Sequence, residues 1–119
     1  MAERYKGWRI TTTKFMWEPN DNRRFAYAIA DPPKDVYDAL YEAGTGCEII
    51  CQAVISPKEL AEKRTRDEWC QIEQDHLRCA ILSVKSEIDY YSTDGKPDIA
   101  KLAHPDEIKR REELQINLF

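Results

Sequence analysis

The sequence predicts a single α+β domain: a small antiparallel sheet of about three strands, packed by one short helix, one long helix and a C-terminal helix. Three observations carry this. The N-terminal third alternates large and small apolar residues in short runs separated by turn formers, a proline-containing capping box stands at Ser56-Pro57-Lys58-Glu59, and Leu77, Ile81, Val84, Ile88 and Tyr91 recur at helical spacing. A length of 119 residues suits one domain able to bury a core without metals or disulfides, and 42% hydrophobic with 34% charged residues belongs to a globular chain rather than a disordered one.

Taken in order, Trp8 to Trp17 is rich in Thr, Ile, Phe and Trp and predicts a first strand after a short polar start. The turn formers Glu18-Pro19-Asn20-Asp21-Asn22 lead into a second strand, where Phe25, Tyr27 and Ile29 alternate with alanines, so that one face is buried and the other packs closely or stays exposed. Asp31-Pro32-Pro33 supplies an acceptor and a proline for a helix start, Val36, Tyr37, Leu40 and Tyr41 give a helix over about 32–43, and Gly44 ends it. The nearly continuous apolar run from Cys47 to Ile55 predicts a central strand covered on both faces. The capping box at Ser56 opens a long helix, solvated across Glu59 to Glu68 and core-facing later, which ends at Ser92 to Pro97. A last helix begins near His104-Pro105-Asp106-Glu107 and runs to about Leu114, which makes residues 1–114 the domain and 115–119 a tail.

The net charge of -4 is unevenly spread: residues 1–24 hold six Lys/Arg against three acids, and the remainder twelve against nineteen. No apolar run approaches the length of a membrane span, and Met1-Ala2-Glu3-Arg4 lacks the apolar segment of a signal peptide, so a cytoplasmic location is expected. The four cysteines are then expected to be reduced and, without a Cys-x-x-Cys pair, to be buried structural thiols rather than zinc ligands. His76 stands one helical turn from Glu73 and Cys79 with nothing to supply an oxyanion hole, and no glycine-rich phosphate loop or His-Glu-x-x-His pattern occurs. No catalytic residue, metal ligand or cofactor is expected, and the chain reads as non-enzymatic.

The sharpest functional signal is the final pentapeptide, Gln115-Ile116-Asn117-Leu118-Phe119, with two large apolar side chains together at a chain end. It resembles the short motif by which bacterial proteins bind the DNA polymerase sliding clamp, Gln-Leu-Ser/Asp-Leu-Phe: Gln115 matches the glutamine, Ile116 replaces the leucine, Asn117 takes the small polar position, and Leu118 and Phe119 match the closing pair. The resemblance implies that Leu118 and Phe119 enter an apolar pocket on the clamp while Gln115 bonds at its rim and Ile116 adds a secondary contact. It also implies a bacterial or phage source, in which a small phage or mobile-element protein would modulate replication or repair. The alternative for the same residues is packing, since Leu114 and Leu118, four apart, would extend the apolar face of a terminal helix.

Two further readings stand beside it. Tyr5, Trp8, Phe15, Trp17, Phe25 and Tyr27 are interleaved with basic residues, the mixture with which sheets stack bases and track a backbone, so Trp8, Arg9, Lys14, Arg23 and Arg24 are candidate nucleic-acid contacts unless the aromatics simply form the sheet's core. Alternatively the acidic helix face from Glu59 to Glu68 inhibits some other host machine, such as a defence system, by protein–protein contact.

Overall fold

In a computed structural model, which describes residues 2–20, 22–45 and 48–116 (the last three by backbone alone), the chain runs β1 (Ala2–Tyr5), β2 (Trp8–Thr12), β3 (Met16–Glu18), β4 (Arg23–Asp31), α1 (Lys34–Glu42), β5 (Ile49–Ile55), α2 (Pro57–Leu60), α3 (Arg66–Tyr90), β6 (Ser92–Thr93), β7 (Lys96–Pro97), α4 (Ile99–Leu102) and α5 (Pro105–Ile116). The fold is mixed α and β as expected, but the antiparallel sheet has five strands rather than about three, and β6–β7 form a separate hairpin.

The strand at the centre is β4, not the apolar run expected there. Along one edge it pairs with β2 through Ala28–Asp31 and with β3 through Arg23–Phe25, while β5 takes the other edge from Arg24 to Ala30. β5 pairs with β4 alone among the described strands. Its continuous apolarity has a different cause: Ile49, Ala53 and Ile55 are buried with Cys51 half-buried beside them, and Ile50, Gln52 and Val54 continue the opposite face of the sheet at partial exposure.

The expected single strand Trp8–Trp17 is broken at Thr13. Its N–H donates to the Tyr27 carbonyl at 3.0 Å, but its Oγ1 accepts from the Tyr27 N–H at 2.9 Å, so a hydroxyl stands where the ladder would use a carbonyl. Pairing resumes only at Met16. The extra strand β1 is folded back onto β2 by a two-residue turn in which Lys6 and Gly7 both have positive φ, 49° and 86°. The positive φ favours glycine at position 7, and a Cβ there would also crowd Pro33 Cγ at 3.2 Å. Two contacts tie β1 to α3: Glu3 pairs with Lys85 at 3.0 Å, and the Tyr5 hydroxyl donates to Asp89 at 2.9 Å.

Helix ends follow their chemistry more closely than their expected positions. Asp31 remains in β4, and α1 starts only after Pro33, with no side-chain cap. It ends as expected at Gly44, where Gly44 N–H bonds the Tyr41 carbonyl and Thr45 N–H the Leu40 carbonyl. The Ser56 capping box is present, but it opens only the one-turn helix α2; a second box, Thr65 with Glu68, starts α3. The predicted stripe on α3 is in place, with Val84, Ile88 and Tyr91 buried and Leu77 and Ile81 packed against the core.

Packing explains which way the sheet faces. Ala26, Ala28 and Ala30 of β4 are fully buried, whereas Phe25, Tyr27 and Ile29 between them are only partly so. The small side chains let α3 lie close across the sheet, and Trp8, Ile10, Ile49, Val36, Leu40 and Leu102 fill the flanks. The molecule measures 48 × 27 × 18 Å, and its shortest dimension fits two layers spaced ~10 Å apart, one of strands and one of helices. Truncating Ile88 to Ala should cost about 2–5 kcal/mol through a core cavity, and Ala28→Leu about 1–3 kcal/mol by forcing α3 away. Leu82→Ala, on the 58% exposed side of α3, should stay within ~0.5 kcal/mol; urea denaturation midpoints at unchanged slope test all three.

Candidate functional site

The C-terminal helix that leads into the pentapeptide is held to the body by polar and aromatic contacts. Arg110 makes two 2.8 Å bonds to the two carboxylate oxygens of Glu87 on α3, and its guanidinium lies 4.6 Å from the Tyr90 ring centre. Glu107 accepts from the Tyr90 hydroxyl at 2.7 Å and from the Tyr91 hydroxyl at 3.1 Å. Lys101 of α4 sits 3.6 Å over the Tyr90 ring and donates to the Tyr90 carbonyl at 2.8 Å. Arg111 is buried; it donates to the Leu102 carbonyl at 2.5 Å and lies over the Tyr91 ring. The Tyr90 hydroxyl bond holds the Glu107 carboxyl below the usual carboxylate range, and the Glu87 bond holds Arg110 firmly charged.

α5 runs to Ile116, two residues past the end expected near Leu114. The backbones of Gln115 and Ile116 therefore lie in its last turn, and Asn117, Leu118 and Phe119 lie outside the described residues. That last turn carries no basic residue, while Glu112 and Glu113 stand close to the helix's negative end.

The candidate nucleic-acid contacts are divided between the two faces of the sheet. Trp8 is fully buried in the core, so its ring has no face free for a base. Arg24 points toward α3, where it pairs with Glu73 at 2.9 Å and lies over the Phe15 ring. Lys14 is exposed in the connection between β2 and β3. Arg9 and Arg23 belong to the opposite, open face, with Arg23 5.9 Å over the Phe25 ring.

Strand register places on that open face several residues that sequence reasoning did not group with them. Arg9 stands between Arg4 and Asp31, Ile29 between Thr11 and Ile50, Tyr27 beside Gln52, and Phe25 between Met16 and Val54. Phe25, Tyr27, Ile29, Ile50, Gln52 and Val54 are half-buried, and none joins the core cluster or the side chains packed on it. The signal that could have found this face is the Ala26-Ala28-Ala30 alternation, once the alanines rather than the aromatics are taken as the side under the long helix.

The cysteines depart from the expected buried thiols. Cys70 and Cys79 are exposed on α3, where nine residues of helix turn them to different sides, both outside the part-buried positions Ile72, Glu73, His76 and Leu77. Cys51 is half-buried on the helix-facing side of β5, where burial and the nearby Glu87 carboxylate push its thiol up to about 11. Cys47 lies outside the described residues, and no cluster of three or more metal-ligating side chains occurs among the described ones. His76 has Glu59 at 3.2 Å as its partner. No helix among the described residues is long and apolar enough to cross a membrane. No protein-family model, curated protein or solved structure matches the chain.

Two predictions follow from these environments. Peptide-resolved alkylation at neutral pH should label Cys70 and Cys79 well before Cys51, whose thiol stays protonated. Asp89, Asp98 and Glu107 all have lowered folded pKa values, so the unfolded chain takes up their protons first as pH falls. Their stabilisation is complete above the ordinary carboxylate pKa of ~4 and is lost below it, so the melting temperature should hold steady between about pH 7 and 5.5 and drop in more acid solution. Glu107→Gln should lower it at pH 7 and flatten that acid drop.

Proposed function

We propose that the chain is a non-enzymatic cytoplasmic binding protein, encoded by a phage or other mobile element, that docks on the bacterial sliding clamp and blocks or redirects the clamp's clients. Leu118 and Phe119 are the apolar anchors, Gln115 is the polar lock at the pocket rim and Ile116 is a secondary contact. The observation that supports this reading is the placement of the pentapeptide at the end of a helix whose earlier turns are fastened to α3 and α4 by Glu107, Arg110 and Arg111.

An extended, pocket-filling peptide requires Gln115 and Ile116 to leave the helix. The last turn is the part of α5 that gives way at least cost: it carries no basic residue, and Glu113 opposes the helix dipole there. The fastened turns upstream stay in place, so binding orders only a few residues and loses little conformational entropy. An aliphatic–aromatic pair in a pocket then supplies most of the affinity and the glutamine fixes the register.

Calorimetric titration of purified bacterial clamp is the test. The intact chain should bind, truncation after Leu114 should abolish binding, and Leu118→Ala or Phe119→Ala should each weaken it by about 30-fold or more, as expected for anchor residues. Equal binding by the intact and truncated chains, or none by either, overturns the reading.

A further inference from the structure

The open face of the sheet is a second surface, independent of the tail. It is a strip along β4 in which Phe25, Tyr27 and Ile29 are flanked by Val54, Gln52 and Ile50 on one side and by Met16 and Thr11 on the other. Arginines stand at both ends, Arg23 beyond Phe25 and the Arg9–Arg4 pair beyond Ile29. We propose that this face binds single-stranded nucleic acid, with Tyr27 and Phe25 as the stacking platform and Arg4 and Arg9 as phosphate contacts.

Three observations fix that choice of occupant. Arg4 and Arg9 are directly opposed across β1 and β2, an arrangement of like charges that destabilises a sheet; Asp31 stands on the other side of Arg9, but neither arginine makes an ion pair or hydrogen bond among the described residues. Such a pair is relieved by an anion bridging the two guanidiniums, and phosphate has the matching geometry.

The second observation is the distribution of charge over the molecule. Residues 1–31, which form the first four strands, hold six Lys/Arg against four acids, and residues 32–119 hold twelve against eighteen. On the open face itself, register sets Arg4, Arg9 and Arg23 against Glu18 and Asp31, a small cationic balance that favours a polyanion there over the acidic remainder of the protein.

Third, the face between the arginines suits planar rings. Phe25 and Tyr27 are two residues apart on one strand, with ring centres 5.6 Å apart in an edge-on arrangement and Arg23 over the Phe25 ring, and lie on the side of the sheet opposite the described core residues. Aromatic side chains displayed on an open sheet stack bases with little regard to sequence, and a strand length of this kind accommodates two or three of them. An acidic peptide would meet the arginines but leave these rings without a counterpart, and a second copy of the chain would bring further arginines to the same strip.

The test is fluorescence anisotropy of labelled 12-mer oligothymidylate and oligouridylate with the full chain, between about 50 and 200 mM salt. Binding should weaken linearly with log salt at roughly -0.7 per phosphate contacted. The double variant Arg4→Glu/Arg9→Glu, at exposed positions, should flatten that slope by about 1.4 and lower affinity at least 10-fold. Tyr27→Ala should lower affinity about 10-fold and Tyr27→Phe should restore it, with circular dichroism melts confirming that each variant is folded. Absence of binding at the lowest salt, or retention of full affinity by the arginine variant, overturns the proposal. So does sedimentation showing a dimer that Tyr27→Ala dissociates, or preferential binding of an oligoglutamate peptide.

Discussion

The contact on which the fold depends is the approach of α3 to the alanines of β4. Ala26, Ala28 and Ala30 present almost no side chain, so a 25-residue helix lies down on the middle of the sheet and Ala80, Val84 and Ile88 reach its backbone layer. Larger residues at those three positions would lift the helix and open the cavities that Trp8, Ile10 and Ile49 now close from the edges. The same choice dictates the outer face. With the small residues of a strand turned inward, strict alternation turns Phe25, Tyr27 and Ile29 outward, and register carries the pattern onto β5 as Ile50 and Val54.

Much of this was legible in the sequence, and the parts that were not have identifiable causes. The α3 stripe, the Gly44 stop and the start of α5 at Pro105 are written in local spacing and local capping chemistry, which tertiary structure had no reason to override. The Ser56 box marked a real helix start but not the helix's length, because a second box at Thr65 restarts the chain after Ala61. The centre of the sheet was misplaced because apolar residues on both faces of a strand normally signal cover on both sides; here one side carries helices and the other is the open face. Thr13 broke a strand that composition left whole, by a hydroxyl-for-carbonyl exchange that no propensity encodes.

The candidate sites were legible to different degrees for the same reason. Interleaved aromatic and basic residues said that a surface of mixed chemistry could form, but alternation sends neighbours to opposite faces. Trp8 and Arg24 went under α3 while Arg9 and Arg23 went outward, Arg9 beside Arg4 in register and Arg23 at the other end of the face. The pentapeptide is the reverse case: a motif carried by residue identity alone. What the fold adds is the anchorage of the helix before it, through a tyrosine–glutamate–arginine network assembled from α3, α4 and α5 that no single stretch of sequence contains.

The two proposed surfaces also differ in where they stand. α5 lies in the helix layer, bonded to α3 through Glu87 and Tyr91 and to α4 through the Leu102 carbonyl, whereas the aromatic strip is on the far side of the sheet. A partner held by the tail and a strand held by the sheet therefore need not compete for area. If one assembly presents both, the second contact forms within the first complex and is governed by effective rather than bulk concentration. Under that condition a modest sheet contact is sufficient: two guanidiniums and two rings would act as a second foothold once the tail has fixed the distance. The acidity of the rest of the chain would then disfavour free nucleic acid elsewhere on the protein, leaving the proposed strip as the surface of lowest repulsion.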